Sequence, residues 1–185
     1  TLLPVYCLQQ GFTTEIALFM VSTVVVGDAV LQLPIGALAD HMSRRTLFTG
    51  CAVTLLVSSL AIPLLLHTLV IWPLWVLFGA SAGGLFTLSL VLIGERYRDD
   101  ELVRANAHVA QLWGIGCLLG PLLAGAGSQW ISGHALLFLM AAGALFFALN
   151  VAPTEEMILI AYKAGPIHVL GLMAVSILLL HIIVF

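Results

Sequence analysis

The sequence predicts an all-α, polytopic transmembrane helix bundle, and three observations predict it. Of its 185 residues, 62% are hydrophobic and only 8% charged, with a mean hydropathy of +1.16. Soluble domains carry about a quarter charged residues, so this chain has too few to cover a water-facing surface. Apolar runs of spanning length follow one another with short separators between them. Every Lys and Arg falls on one side of the alternating path that those runs imply. The runs are apolar all round, whereas barrel strands would alternate every second residue. Backbone amides that find no water in lipid then leave the helix as the solution. The net charge of −3 is spread thinly and no basic stripe exists, which sets nucleic-acid binding aside.

The elements follow in order. Leu2 to Leu8 is apolar but stops at Gln9-Gln10-Gly11, short of the about 20 residues that a span needs. It reads as the last turns of a longer helix, and the chain as a fragment. Spanning runs are then expected at about 13–39, 46–66, 69–94, 104–127, 134–152 and 167–185. The separators are Gln9 to Thr13, Asp40 to Arg45, His67-Thr68, Glu95 to Val103, Gly127 to Gly133 and Pro153 to Pro166. Cys7, Cys51 and Cys117 sit inside apolar runs without metal-ligand spacing and read as small buried residues.

Charge placement orients the path. Arg44 and Arg45 lie in one separator, Arg96, Arg98 and Arg104 in and beside another, and Lys163 in a third. These three loops are predicted cytoplasmic by the positive-inside rule. Trp72, Trp75 and Trp130 lie near the opposite loops, either at headgroup level or as ordinary packing.

The most specific constellation is Gly36-Ala37-Leu38-Ala39-Asp40-His41-Met42-Ser43-Arg44-Arg45, a short charged connection between two spans. A carboxylate at a helix C-terminus meets the negative end of the dipole. Asp40 therefore calls for something positive, such as Arg44 or the N-terminus of another helix. Gly36 lies one turn before it and gives another helix room to come close. Ser43 can cap the following helix. Further on, Gly94-Glu95-Arg96-Tyr97-Arg98 closes a span, with Asp99-Asp100-Glu101 behind it read as a solvated loop. The next run carries Gly114, Gly116, Gly120-Pro121, Ala124 and Gly125. Small residues four apart let helices approach, and Pro121 loosens the helix.

The pattern Gly-x-Leu-Ala-Asp-x-x-x-Arg-Arg resembles the cytoplasmic loop motif of major facilitator transporters, between the second and third helices of each six-helix half. His41 departs from the usual basic residue and Ser43 from the usual glycine. The Glu95–Arg96 group resembles the acidic–basic group that bacterial members of the family pack against the first loop, and the Gly120-Pro121 stretch resembles one in the fifth helix of each half. The resemblance implies half of a major facilitator fold, a six-helix transporter half over 1–152 with its first helix truncated. Residues 153–166 form a cytoplasmic loop, and 167–185 an additional apolar segment. The chain aligns better with the second half of such a transporter, of the bacterial efflux type, than with the first. On the first-half alternative, 153–166 is the central loop and 167–185 opens the second half.

By the same resemblance, Gly36, Asp40, Arg44, Arg45, Glu95 and Arg96 bias a cytoplasmic gate, and Gly116, Gly120, Pro121 and Gly125 serve helix packing. The implied function is secondary active transport of a small molecule across the inner membrane by alternating access, driven by protons. The partners are lipid, the substrate, and the other six-helix half or a second copy. No cofactor is implied.

Asp28 is the one acidic residue near the middle of a clear span. Burying an ionisable group at that depth costs at least about 2.5–3.5 kcal/mol on insertion scales. Such a residue faces the bundle interior or a water-filled cavity, and Gln32 shares its helix face. The pair is a candidate for proton coupling or for holding a cationic group, against the alternative of a protonated Asp bonding a neighbouring helix. His108 and Gln111 share a face of a later helix and read as interface packing; no histidine spacing suggests metal.

Enzymatic readings fail on the residues: no His-Glu-x-x-His is present, and no second mid-membrane Asp partners Asp28 in a carboxylate dyad. The competing class is a non-transporting membrane scaffold or an inactive half-transporter, since half an architecture cannot alternate access alone.

Overall fold

The computed structural model describes residues 2–130, 134, 137, 138 and 140–145. Five helices follow in order: α1 (Leu2–Gln9), α2 (Thr14–Ala39), α3 (Arg44–Leu65), α4 (Ile71–Arg96) and α5 (Asp99–Trp130). Three stretches, Thr14–Ala39, Arg44–Leu65 and Ile71–Glu95, are long and apolar enough to cross a membrane. Residues 140–145 are helical as well. The expected segments 153–166 and 167–185, with Lys163, lie outside the described residues.

Local chemistry sets the boundaries. Gly11 ends α1 at φ 87°, a left-handed conformation in which the Phe12 amide reaches the Cys7 carbonyl and the Gly11 amide reaches Leu8. This is the glycine-terminated cap in which two orphan carbonyls find donors. Thr13 then caps α2, its side chain accepting from the Ile16 amide, and Glu15 sits favourably in the first turn. Ser43 caps α3 through the Thr46 amide, as its sequence position leads one to expect. Pro73 falls in the first turn of α4, where its missing N–H removes no helical bond. Pro34 and Pro63 lie inside α2 and α3, which continue through them.

Two boundaries differ from expectation. The connection expected over Glu95 to Val103 is mostly helical, because α4 runs to Arg96 and α5 already begins at Asp99. Asp99, Asp100 and Glu101 form the first turn of α5 rather than a loop. Three carboxylates there meet the positive end of the helix dipole, which explains why the helix starts so early. At its far end α5 extends past Gly127 to Trp130.

The core gathers on α4. From Phe78 to Leu85 every residue is buried, so the helix is enclosed on all sides. Its largest interface is with α2, the next with α3. The main cluster joins Tyr6 and Cys7 of α1, Met20 and Val24 of α2, Leu55 and Ile62 of α3, Trp75, Phe78 and Leu88 of α4, and Leu137 and Met140. Trp75 is fully buried, edge-on to Phe78, and so belongs to the core rather than to headgroup level. By contrast α2 exposes Phe19, Val26, Val30 and Leu33. These residues are tolerable only against lipid or another protein.

At one end of the bundle two histidines contact α1 and the α1–α2 connection. Phe12 stacks on His67 with centroids 5.0 Å apart, and the Tyr6 hydroxyl lies 3.0 Å from His134 Nδ1. The charged connections occupy the opposite end.

Candidate functional site

Two constellations emerge on the α2–α3–α4 core. The first is a charged clasp. Arg44, the first residue of α3, pairs through Nη2 with Glu95 in the last turn of α4. Each charge sits at the wrong end of its helix: a cation at an N-terminus and an anion at a C-terminus both oppose the dipole. The two residues therefore neutralise each other where neither suits its own helix. Exposure is 26% for the Arg44 side chain and 53% for Glu95, so the pair is worth about 0–1 kcal/mol. It breaks cheaply.

Arg44 thus faces Glu95 and not Asp40, which corrects one of the two partners expected for Asp40. Asp40 caps the end of α2, is exposed, and forms no ion pair among the described residues. The Arg44 Nη1 atom is buried without a hydrogen-bond partner among them. Arg45, the second residue of α3, is exposed, and Arg96 is the last residue of α4. At Gly36 an added Cβ would meet nothing within 4 Å among the described residues.

The second constellation sits in the middle of the α2–α4 interface. Gln32 Nε2 donates to Asp28 Oδ1 at 2.7 Å, one helical turn apart, and both residues are half-buried. The carboxylate presses against the α4 backbone at Gly83, where a Cβ would collide with Oδ1 and lie 3.3 Å from Gln32 Nε2. One turn earlier, a Cβ at Gly79 would run into the Val24 backbone and come within 3.2 Å of the Asp28 amide nitrogen. Gly27 of α2 meets Val76 in the same way, its added Cβ 2.8 Å from Val76 Cα. At Gly84 a Cβ would lie 2.8 Å from Ile35 Cδ1 and 2.9 Å from Cys51 Sγ, where α2, α3 and α4 converge.

Among the described residues, close helix approach occurs at Gly27, Gly79, Gly83 and Gly84. Sequence reasoning passed over these positions. The Gly79-x-x-x-Gly83 spacing carries the signal, since small residues four apart let helix backbones meet.

The remaining candidates are less informative. α5 runs helically through Gly116, Gly120, Pro121 and Gly125, whose surroundings lie outside the described side chains. His108 and Gln111 are exposed, so the interface packing expected of them is not found among the described residues. His108 Nδ1 lies 2.7 Å from the Arg104 carbonyl instead. No group of three or more His, Cys, Asp or Glu that could hold a metal occurs among the described residues.

Comparison with known proteins adds a family. Residues 1–166 match the sequence profile of the Major Facilitator Superfamily. The chain is 31% identical over 148 residues to the uncharacterised MFS-type transporter YcaD of Escherichia fergusonii, covering 80% of this chain and 38% of that protein. It is 28% identical over 142 residues to an uncharacterised MFS-type transporter of Yersinia enterocolitica, covering 77% and 36%. An MFS-type transporter of Aspergillus terreus is 27% identical over 121 residues, covering 65% and 22%. The chain thus spans well under half the length of these curated relatives. No solved structure matches it.

Proposed function

Because the chain belongs to the major facilitator superfamily, a family of membrane transport proteins rather than enzymes, we propose that it is the C-terminal six-helix half of a proton-coupled secondary transporter. It moves a small molecule across the bacterial inner membrane by alternating access. The observation that carries this reading is the Arg44–Glu95 clasp, which ties the start of α3 to the end of α4 across one end of the bundle. A gate must hold in one state and release in the other. A pair that opposes both helix dipoles and is half open to water has that character.

In this reading the clasp end faces the cytoplasm, where all the arginines collect. Asp40, with its carboxylate at the end of α2, meets the N-terminus of a helix in the other half. Arg44 Nη1 finds its acceptor there too. Asp28 and Gln32 border the central cavity and carry the proton. Gly116, Gly120, Pro121 and Gly125 let α5 slide against its neighbours as the halves rock.

Facilitator halves work in pairs around a midplane site, so the test is complementation. Vesicles holding this chain together with a matching N-terminal half should extrude ethidium, a drug-like cation, under an imposed pH gradient; either half alone should not. Efflux by the chain as a monomer, or none with both halves present, counts against the reading.

A further inference from the structure

We infer that Gly83 is a positioning residue for Asp28. It leaves a gap in the surface of α4 into which α2 lays the Asp28 carboxylate, with Gln32 closing the gap from the side. The inference rests on the reading above that Asp28 carries a proton.

Three contacts define the seat. Asp28 Oδ1 occupies the space that any side chain at Gly83 would need. Gln32 Nε2 donates to that same oxygen at 2.7 Å. One turn away, Gly79 lets the α2 backbone at Val24 and Asp28 come down onto α4. The glycines of α4 are therefore spaced to match Val24, Asp28 and Gln32, which recur every four residues on one face of α2. On α4 itself the surrounding positions, Phe78 to Leu85, are all buried.

The consequence is chemical. Oδ1, closed in by the α4 backbone and by the Gln32 amide, has no room beside it for an ammonium group or a hydrated metal ion. A proton needs no room. Gln32 suits both protonation states, because a primary amide carries a donor and an acceptor. Its –NH2 donates to the carboxylate as seen here. Turned over, its carbonyl accepts from the carboxylic acid O–H. The seat thus keeps a polar group satisfied in the low-dielectric interior whether or not the proton is bound, where an unpaired one would be costly.

A double-mutant cycle tests the seat without any substrate. Gly83→Ala should lower the melting temperature of the purified chain in detergent. In an Asp28→Ala background, where the colliding oxygen is gone, most of that loss should disappear. Gly50→Ala, at a position where an added Cβ meets nothing within 4 Å, controls for glycine replacement in general. Equal losses from Gly83→Ala in both backgrounds overturn the inference. If the Gly83→Ala chain does not insert, oxidative crosslinking of an Asp28→Cys, Gly83→Cys chain lacking its three native cysteines reads the same adjacency, and its failure overturns the inference equally.

A readout beyond stability is labelling of Asp28 by dicyclohexylcarbodiimide, an apolar reagent selective for protonated carboxyls, followed by intact mass. The wild-type and Gly50→Ala chains should label at Asp28 to equal extents. Gly83→Ala should change that extent severalfold by expelling the carboxyl from its seat. An unchanged extent in Gly83→Ala counts against the positioning role. Absence of labelling in the wild type at every pH, with the stability cycle intact, instead removes the proton reading and leaves the seat standing.

Discussion

At the scale of single residues, the behaviour of a side chain here depends on which helix end or interface holds it. Ser43 is the simplest case. Its hydroxyl satisfies the Thr46 amide at the start of α3, so Ser43→Ala should destabilise the chain by about 0.5–2 kcal/mol, read as a lower melting temperature in detergent. Asp28 makes a functional prediction instead. Asp28→Asn keeps the size of the side chain and its bond to Gln32 but cannot exchange a proton near neutral pH. In the assembled transporter it should abolish pH-driven flux while leaving protein abundance unchanged; retained flux removes the coupling role. The polar position of Asp28 was legible from its depth in the run. Its partner across the interface was not, because Gly83 has no side chain to announce a contact.

At the scale of elements, the clasp between α3 and α4 makes a less intuitive prediction. Exchanging the charges, Arg44→Glu with Glu95→Arg, keeps the pair but places an anion at the start of α3 and a cation at the end of α4. Both then agree with their helix dipoles, at about 0.3–1 kcal/mol each. The exchanged chain should therefore melt higher than the wild type, and on the gating role proposed above a transporter carrying it should cycle more slowly. Each single reversal juxtaposes like charges and should melt lower.

The elements themselves were largely legible. The runs 13–39, 46–66 and 69–94 anticipate α2, α3 and α4 within a few residues, since length and hydropathy suffice for a helix in lipid. The start of α5 was missed because Asp99 to Glu101 look like loop residues by polarity, although their charge is what favours a helix N-terminus. Asp40 was read as one partner of Arg44 because the two are close in sequence. The structure joins Arg44 to Glu95, 51 residues away, a pairing that no local pattern shows, although the family resemblance leads one to expect the Glu95 group against the first loop.

At the scale of the whole molecule, the prediction concerns sidedness. The connection holding Met42 and Ser43 is exposed at the clasp end, which the topology proposed above places in the cytoplasm. A Met42→Cys chain freed of native cysteines should react with a membrane-impermeant maleimide in inside-out vesicles and not in intact spheroplasts. A cysteine replacing Leu69, exposed in the connection at the other end, should show the reverse. Labelling with the opposite sidedness inverts the topology and takes the cytoplasmic gate with it.

The enclosure of α4 bears on how such a chain is made. Ile71–Glu95 is greasy enough to partition into a bilayer with no neighbour present, although in the finished bundle protein surrounds its middle turns. Entry into lipid and burial in protein can then be separate events. The ribosome delivers α2 and α3 ahead of α4, and each can wait in the membrane until the helix that will divide them arrives. Biogenesis then needs no order beyond that of synthesis. Glycine positions such as 79 and 83 would come into play at the later docking step, so their replacement should leave insertion intact and appear as a protein that reaches the membrane yet fails to consolidate.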